Sequence, residues 1–163
     1  MANERMTSAP ELSGEFVAAS YKQTAIVAGA IATSLVMYAI VAEIISRSAT
    51  TGEPPAFLGT LRVALFVVAG AAIFMTTIVK GIMLRNAPAD AASRLARLRT
   101  ATIASMAVAE LPATAGFVLV ALGSARADFY MLLAISAYMM VRHFPRRGPW
   151  DEYVRRGSTS AVR

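Results

Sequence analysis

The run Thr100-Ala-Thr-Ile-Ala-Ser-Met-Ala-Val-Ala-Glu110-Leu-Pro112-Ala-Thr-Ala-Gly116-Phe-Val-Leu-Val-Ala-Leu-Gly-Ser-Ala125 decides the fold. It carries a single charged residue, Glu110. As a helix rising about 1.5 Å per residue, such a run is long enough to cross about 30 Å of hydrocarbon. A water-soluble helix of this length would show a charged face, and none is present. The helix is expected to begin before the run, in water. Asn86-Ala-Pro88-Ala-Asp90 reads as a turn with Asp90 as N-cap, and Arg94, Arg97 and Arg99 occupy the first turns. Residues 90–124 are therefore read as a third span with a cytoplasmic helical extension.

Three further apolar stretches flank it. Residues 23–46 form the first span, with an uncharged run from Thr24 to Ala42 that ends at Glu43. A loop with Gly52, Pro54 and Pro55 stops that helix, because proline lacks a backbone donor and disfavours helical geometry before it. Residues 57–84 form the second, uncharged from Val63 to Val79, with Arg62 and Lys80 snorkelling toward headgroups. Residues 127–144 form the fourth, whose uncharged run from Phe129 to Val141 is the shortest and is extended by Arg142, His143 and Phe144. Residues 1–22 read as a polar cytoplasmic N-tail and 145–163 as a basic cytoplasmic C-tail. The expected fold class is an all-α membrane protein of four transmembrane helices arranged as two helical hairpins. Composition agrees. With 56% hydrophobic and 16% charged residues and a mean hydropathy of +0.55, a 163-residue chain has too little polar surface to cover a soluble globule.

The net charge of +6 is explained by topology without any nucleic acid. The N-tail, the 80–99 segment and the chain from Arg142 onward hold two, five and six basic residues, against three (Arg47, Arg62, Arg126) on the other side. This bias orients both termini to the cytoplasm. Tyr21, Phe57, Phe129, Tyr130, Phe144, Trp150 and Tyr153 stand at span boundaries, where amphipathic rings favour the headgroup layer. Small residues in mid-span, Gly29, Gly70, Ala104, Ala107 and Ala109 among them, favour a tight bundle or a packed oligomer.

Chemistry centres on Glu110. An ionised carboxylate at mid-bilayer costs a few kcal/mol or more, so the group is expected to be neutral or to have a cation partner. Pro112 cannot donate to the carbonyl of Val108, which leaves an acceptor one turn below the proline and close to the acid, and Thr114 adds a hydroxyl one turn above Glu110. Glu110, Thr114, Pro112 and Val108 are thus the candidate proton or cation site. Thr33, Ser34, Thr76, Thr77, Ser105 and Ser136 are neutral groups that could join it from other helices or turns. Two readings stay open: ion handling, or a protonated glutamic acid that only bonds a neighbouring helix.

Glu43 reads as an interfacial acid beside Arg47, with an outer relay as its other role. Asp128 reads as a loop or cap residue beside Arg126. Arg142, His143, Arg146, Arg147 and Trp150 are candidates for contact with anionic lipid or with a cytoplasmic partner. The chain has no cysteine and one histidine, and no metal-ligand spacing or nucleophile-and-base pair appears. No enzyme, metal or cofactor is expected.

The string Glu110-Leu-Pro112-x-x-x-Gly116-x-Val118-x-Val120-x-Leu122 resembles the carboxylate helix of rotary ATPase proteolipids, the c subunits, and spans one and two share their alanine and glycine richness. That resemblance implies a mid-membrane acid that carries a proton or sodium ion within an oligomer. The pattern Ile40-Val-Ala-Glu43-Ile-Ile45, Glu110-Leu-Pro112, Asp128-Phe-Tyr130 and Phe144-Pro-Arg146-x-x-x-Trp150-x-Glu152 is similar to small bacterial four-span, proteolipid-like proteins. It implies the topology and the inner membrane. The resulting expectation is a proteolipid-like membrane protein, homo-oligomeric or a subunit of a larger complex, with Glu110 binding and releasing a proton or small cation. The alternative is a non-transporting structural or assembly subunit that docks a partner through its basic C-tail.

Overall fold

In a computed structural model the chain is all-helical over the residues the structure describes, which are 14–48, 55–85, 90–148 and 150–152. The 1–13 tail, the turns with Gly52, Pro54 and Pro88, and the tail beyond 152 with Tyr153, Arg155, Arg156 and Arg163 lie outside them. Four long helices follow one another: α1 (Gly14–Ser48), α2 (Leu58–Arg85), α3 (Ala91–Ala121) and α4 (Arg126–His143). Helix α1 begins at Gly14, within the stretch read as a polar tail, so the span continues as helix beyond Lys22.

Helices α1, α2 and α3 are long and apolar enough to cross a membrane. The 18 residues of α4 are apolar between charged ends, with Arg126 and Asp128 at one and Arg142 and His143 at the other. The surface shows why lipid is the fitting solvent. Val63, Val67, Phe74 and Ile82 on α2 and Ile26, Val36 and Ile44 on α1 are all exposed. The interior holds small and hydroxyl-bearing residues instead: Ala28, Ala101, Ala109 and Ala113 are fully buried, as are Thr24, Ser105 and Ser136. Buried hydroxyls are satisfied mostly by the carbonyls of the preceding turn, Thr24 by Ser20, Thr102 by Leu98 and Ser105 by Ala101, each at 2.8 Å.

Helix α3 is the centre of the bundle, packed against α1, α2 and α4, whereas the backbones of α1 and α2 stay more than 8 Å apart among the described residues. Where the sequence pairs α1 with α2 as a hairpin, the structure interposes α3. Small side chains around α3 explain this, because they let helices approach on several sides. Helices α3 and α4 approach closely at Gly116, where an added Cβ would stand 3.1 Å from Leu132 Cβ and 3.2 Å from Phe129 Cα.

Two ends can be distinguished. At the basic end Val17, Leu95, Leu98 and Trp150 form a cluster with Tyr21 and Leu84, so the starts of α1 and α3, the end of α2 and the segment after α4 lie together. Tyr21 stacks edge-on to Trp150 at 5.8 Å and its hydroxyl donates to the Pro145 carbonyl. Asp90 caps α3 by accepting from the amides of Ala92 and Ser93. The Ser93 side chain first, and then these amides, hold its carboxyl below the usual carboxylate range. A depressed carboxyl contributes stability above its unfolded-state value, about 4, and loses it as pH falls through the folded value. Acidification below about pH 4, or Asp90→Ala at neutral pH, is therefore expected to fray residues 92–95, measured by amide hydrogen exchange.

At the far end all three arginines meet acids. Arg47 and Arg126 flank Glu43, and Arg62 Nη2 reaches Asp128 Oδ1 at 2.7 Å. The Asp128 side chain is 3% exposed and also accepts from Ser124 Oγ at 2.8 Å, so it ties α2 to the α3–α4 turn. Its role is therefore an interhelix ion pair as well as a place in the first turn of α4. Arg62→Leu leaves this carboxylate buried with a lone hydroxyl partner, and a loss of about 1–3 kcal/mol is expected. The half-exposed guanidinium is partly screened by solvent, which keeps the figure below that of a fully buried pair. The measurement is the unfolding midpoint in mixed micelles, with Arg47→Leu as the control expected to change nothing measurable.

Candidate functional site

Glu110 lies eleven residues beyond Arg99 and eleven before Ala121, about 16 Å from each along the helix axis, which places it midway along the apolar part of α3. It is partly buried at the seam between α3 and α1. Two α1 hydroxyls converge on one carboxyl oxygen: Ser34 Oγ stands 2.6 Å and Tyr38 Oη 2.9 Å from Glu110 Oε1. Ser34 and Tyr38 are four residues apart, so one helical face presents both. The Tyr38 ring is held by Phe117, with centroids 5.5 Å apart, and the Thr114 side chain adjoins its hydroxyl.

Proton counting defines what this arrangement can do. Ser34 Oγ is 2.6 Å from the Ile31 carbonyl as well as from Glu110, yet a hydroxyl has one proton to give. With Glu110 ionised, Ser34 and Tyr38 both donate to the carboxylate, and 2.6 Å is the length of a charge-assisted O–H···O⁻ bond. With Glu110 protonated, the acid donates its hydrogen bond to Ser34 Oγ, and Ser34 in turn donates to the Ile31 carbonyl. Both charge states of the acid leave these groups satisfied. Among the described residues no cation pairs with Glu110.

The other expected residues sit as follows. Thr114 is exposed and its hydroxyl donates to the Glu110 backbone carbonyl at 3.4 Å, not to the carboxyl group. Pro112 is buried inside α3 and supplies no amide to Val108, which is partly buried against the core cluster that contains Ala28, Leu35 and Met139. The next amide, that of Ala113, donates to Ser136 Oγ on α4 at 2.8 Å, so the proline turn is braced from a neighbouring helix. Of the neutral candidates Ser34 reaches the acid; Thr33 and Ser105 bond carbonyls of their own helices and Thr76 bonds Ile73, while Thr77 is exposed on α2.

Tyr38 is the residue that the sequence reading missed. Its signal was present: a tyrosine in mid-span, away from the headgroups where such rings usually sit, one turn after a serine.

Glu43 stands one turn beyond Ala39 toward the far end, accepts from Tyr130 at 3.2 Å and from Arg47 at 3.1 Å, and helps to line a cleft with Ile40 and Ile44. Among the tail residues, Arg142, Arg146 and Arg147 are exposed and His143 is partly buried. Trp150 is only 3% exposed, because it fills the gap between the starts of α1 and α3. Among the described residues no cluster of three or more acidic or histidine side chains could hold a metal ion. Comparison of the chain with protein-family models, curated proteins and solved structures finds no match.

Proposed function

We propose that the chain is a proteolipid-like protein of a bacterial inner membrane, crossing four times with both termini cytoplasmic, in which Glu110 binds and releases a proton or small cation. The observation that carries this reading is the Glu110–Ser34–Ile31 chain, where one hydroxyl proton can serve either the acid or a backbone carbonyl. Such a site accommodates gain and loss of charge without moving a helix. An acid meant only for packing needs one fixed bond.

The site also borders open surface. Thr114, Leu111 and Ala107 are exposed on the side of α3 left uncovered between α1 and α2. An exchangeable group at the bundle edge suits a homo-oligomer or a larger complex, in which a neighbouring subunit supplies the path to and from the acid. For a sodium-sized ion, Ser34 and Tyr38 offer hydroxyl oxygens beside the carboxyl, with Thr114 one turn above it and the Val108 carbonyl two residues below.

The test is modification by dicyclohexylcarbodiimide, which attacks protonated carboxyls in apolar surroundings, followed by mass mapping. Labelling is expected at Glu110, falling as pH or sodium concentration rises. Ser34→Ala and Tyr38→Phe are expected to move the pH of half-maximal labelling, and Thr33→Ala to leave it unchanged. A Glu110 that stays unlabelled at every pH would overturn the proposal.

A second reading is favoured by the same bonds seen as cement. Helix α1 buries little of its surface, and the Glu110 bonds from Ser34 and Tyr38 fasten it to α3. On that reading the chain is a structural or assembly subunit, and the exposed Arg142, Arg146 and Arg147 form its docking surface.

A further inference from the structure

A groove of about 310 Å³ opens at the basic end of the α1–α3 seam, within the size range of ligand clefts, about 300–1,000 Å³. Phe16 and Ser20 of α1 form one wall; Leu95, Ala96, Arg99 and Thr100 of α3 form the other. Its chemistry is divided, with apolar side chains along the walls and one guanidinium with two hydroxyl-bearing residues beside it. Arg99 marks the level where the uncharged run of α3 starts, so the groove lies at the depth of lipid headgroups.

The three arginines of this helix are not equivalent. Arg94 and Arg97 each hold an interaction within the chain, as do Asp151 and Glu152. Arg99 is partly buried in the groove wall and has no hydrogen bond or ion pair among the described residues. The nearest capping acid, Asp90, is occupied by the amides of Ala92 and Ser93. Thr100 gives its hydroxyl proton to Ala96, which fixes its side chain at the rim. A partly desolvated guanidinium without a partner calls for an anion, and its planar fork matches the oxygens of a phosphate.

We infer that this groove binds a phosphate group, with Arg99 as the principal ligand and Ser20 beside it, and that the apolar walls formed by Phe16 and Leu95 take the adjoining chain of an anionic phospholipid. The inference rests on the membrane placement proposed above but not on the ion chemistry of Glu110. It concerns a specific site, in contrast to the general attraction of a basic surface for an anionic leaflet, which Arg97 and Arg147 would share equally.

The experiment is native mass spectrometry of the full chain released from a neutral detergent, with phosphatidylglycerol and phosphatidylcholine competing at equal concentration. One phosphatidylglycerol is expected to be retained in preference by at least about fivefold. Arg99→Gln should remove the preference and Arg97→Gln should keep it. Ala96→Phe fills the groove from an exposed position while keeping the Arg99 guanidinium and should remove it too, which guards against misfolding of the arginine variant. Displacement of the lipid by millimolar inorganic phosphate, with phosphate retained on the wild type and absent from Arg99→Gln, would support the anion site but assign it to free phosphate. Equal retention of both lipids, or equal effects of Arg97→Gln and Arg99→Gln, would overturn the inference. Recovery of the chain in buffer without detergent would instead sink the membrane placement itself.

Discussion

Glu110→Gln is expected to abolish carbodiimide labelling and to reduce proton or sodium flux through reconstituted vesicles to the background of empty ones. The bundle itself should survive. With its amide oxygen in place of Oε1, glutamine accepts from both Ser34 and Tyr38, which keeps the two interhelix bonds in a form that cannot ionise. The unfolding midpoint should therefore change by less than about 1 kcal/mol. Glu110→Leu removes the bonds as well as the charge and leaves two α1 hydroxyls facing an apolar group, so it should cost about 1–3 kcal/mol in addition. The pair of variants separates the two readings of the site. If glutamine preserves every measurable function and only leucine impairs the protein, Glu110 is a fastening between α1 and α3. If glutamine alone silences flux with the fold intact, the acid works through its charge.

Gly116→Val is expected to have the largest effect on the fold. A Cβ at this position would lie 3.1 Å from Leu132 Cβ, 3.2 Å from Phe129 Cα and 3.3 Å from the Phe129 carbonyl oxygen. Two of these three atoms are backbone, so no rotamer change on α4 can clear the space and the helices must separate. Overpacking of this kind costs about 3 kcal/mol, and valine adds branches at the tightest point. Separation would also pull Ser136 from the Ala113 amide one turn away, leaving a buried donor without its partner. Unfolding titration in mixed micelles measures the loss. Gly70→Val, where an added Cβ meets nothing within 4 Å, is the control and should remain near wild type. A Gly116→Val protein as stable as the control would show that α3 and α4 do not pack as described.

The sequence alone determined the helical class, the three longest apolar helices and the singularity of Glu110, for one physical reason. Hydrocarbon length and the cost of a charge in it act on each segment separately, so residues such as Thr24–Ala42 or Thr100–Ala125 announce themselves without their neighbours. The Asp90 cap was legible for the same reason, since its bonds reach only Ala92 and Ser93. Which helices touch was decided by tertiary structure. Apolar faces carry no address in lipid, so partner choice falls to small residues and a few polar groups. Thus α3 separates α1 from α2, Arg62 finds Asp128 across 66 positions, and Trp150 turns inward onto Val17 and Leu95. The partners of Glu110 follow the same rule. Ser34 stood among several hydroxyls of equal standing in the sequence, and Tyr38 among none; the rotation of α1 against α3 brings both to the carboxyl group.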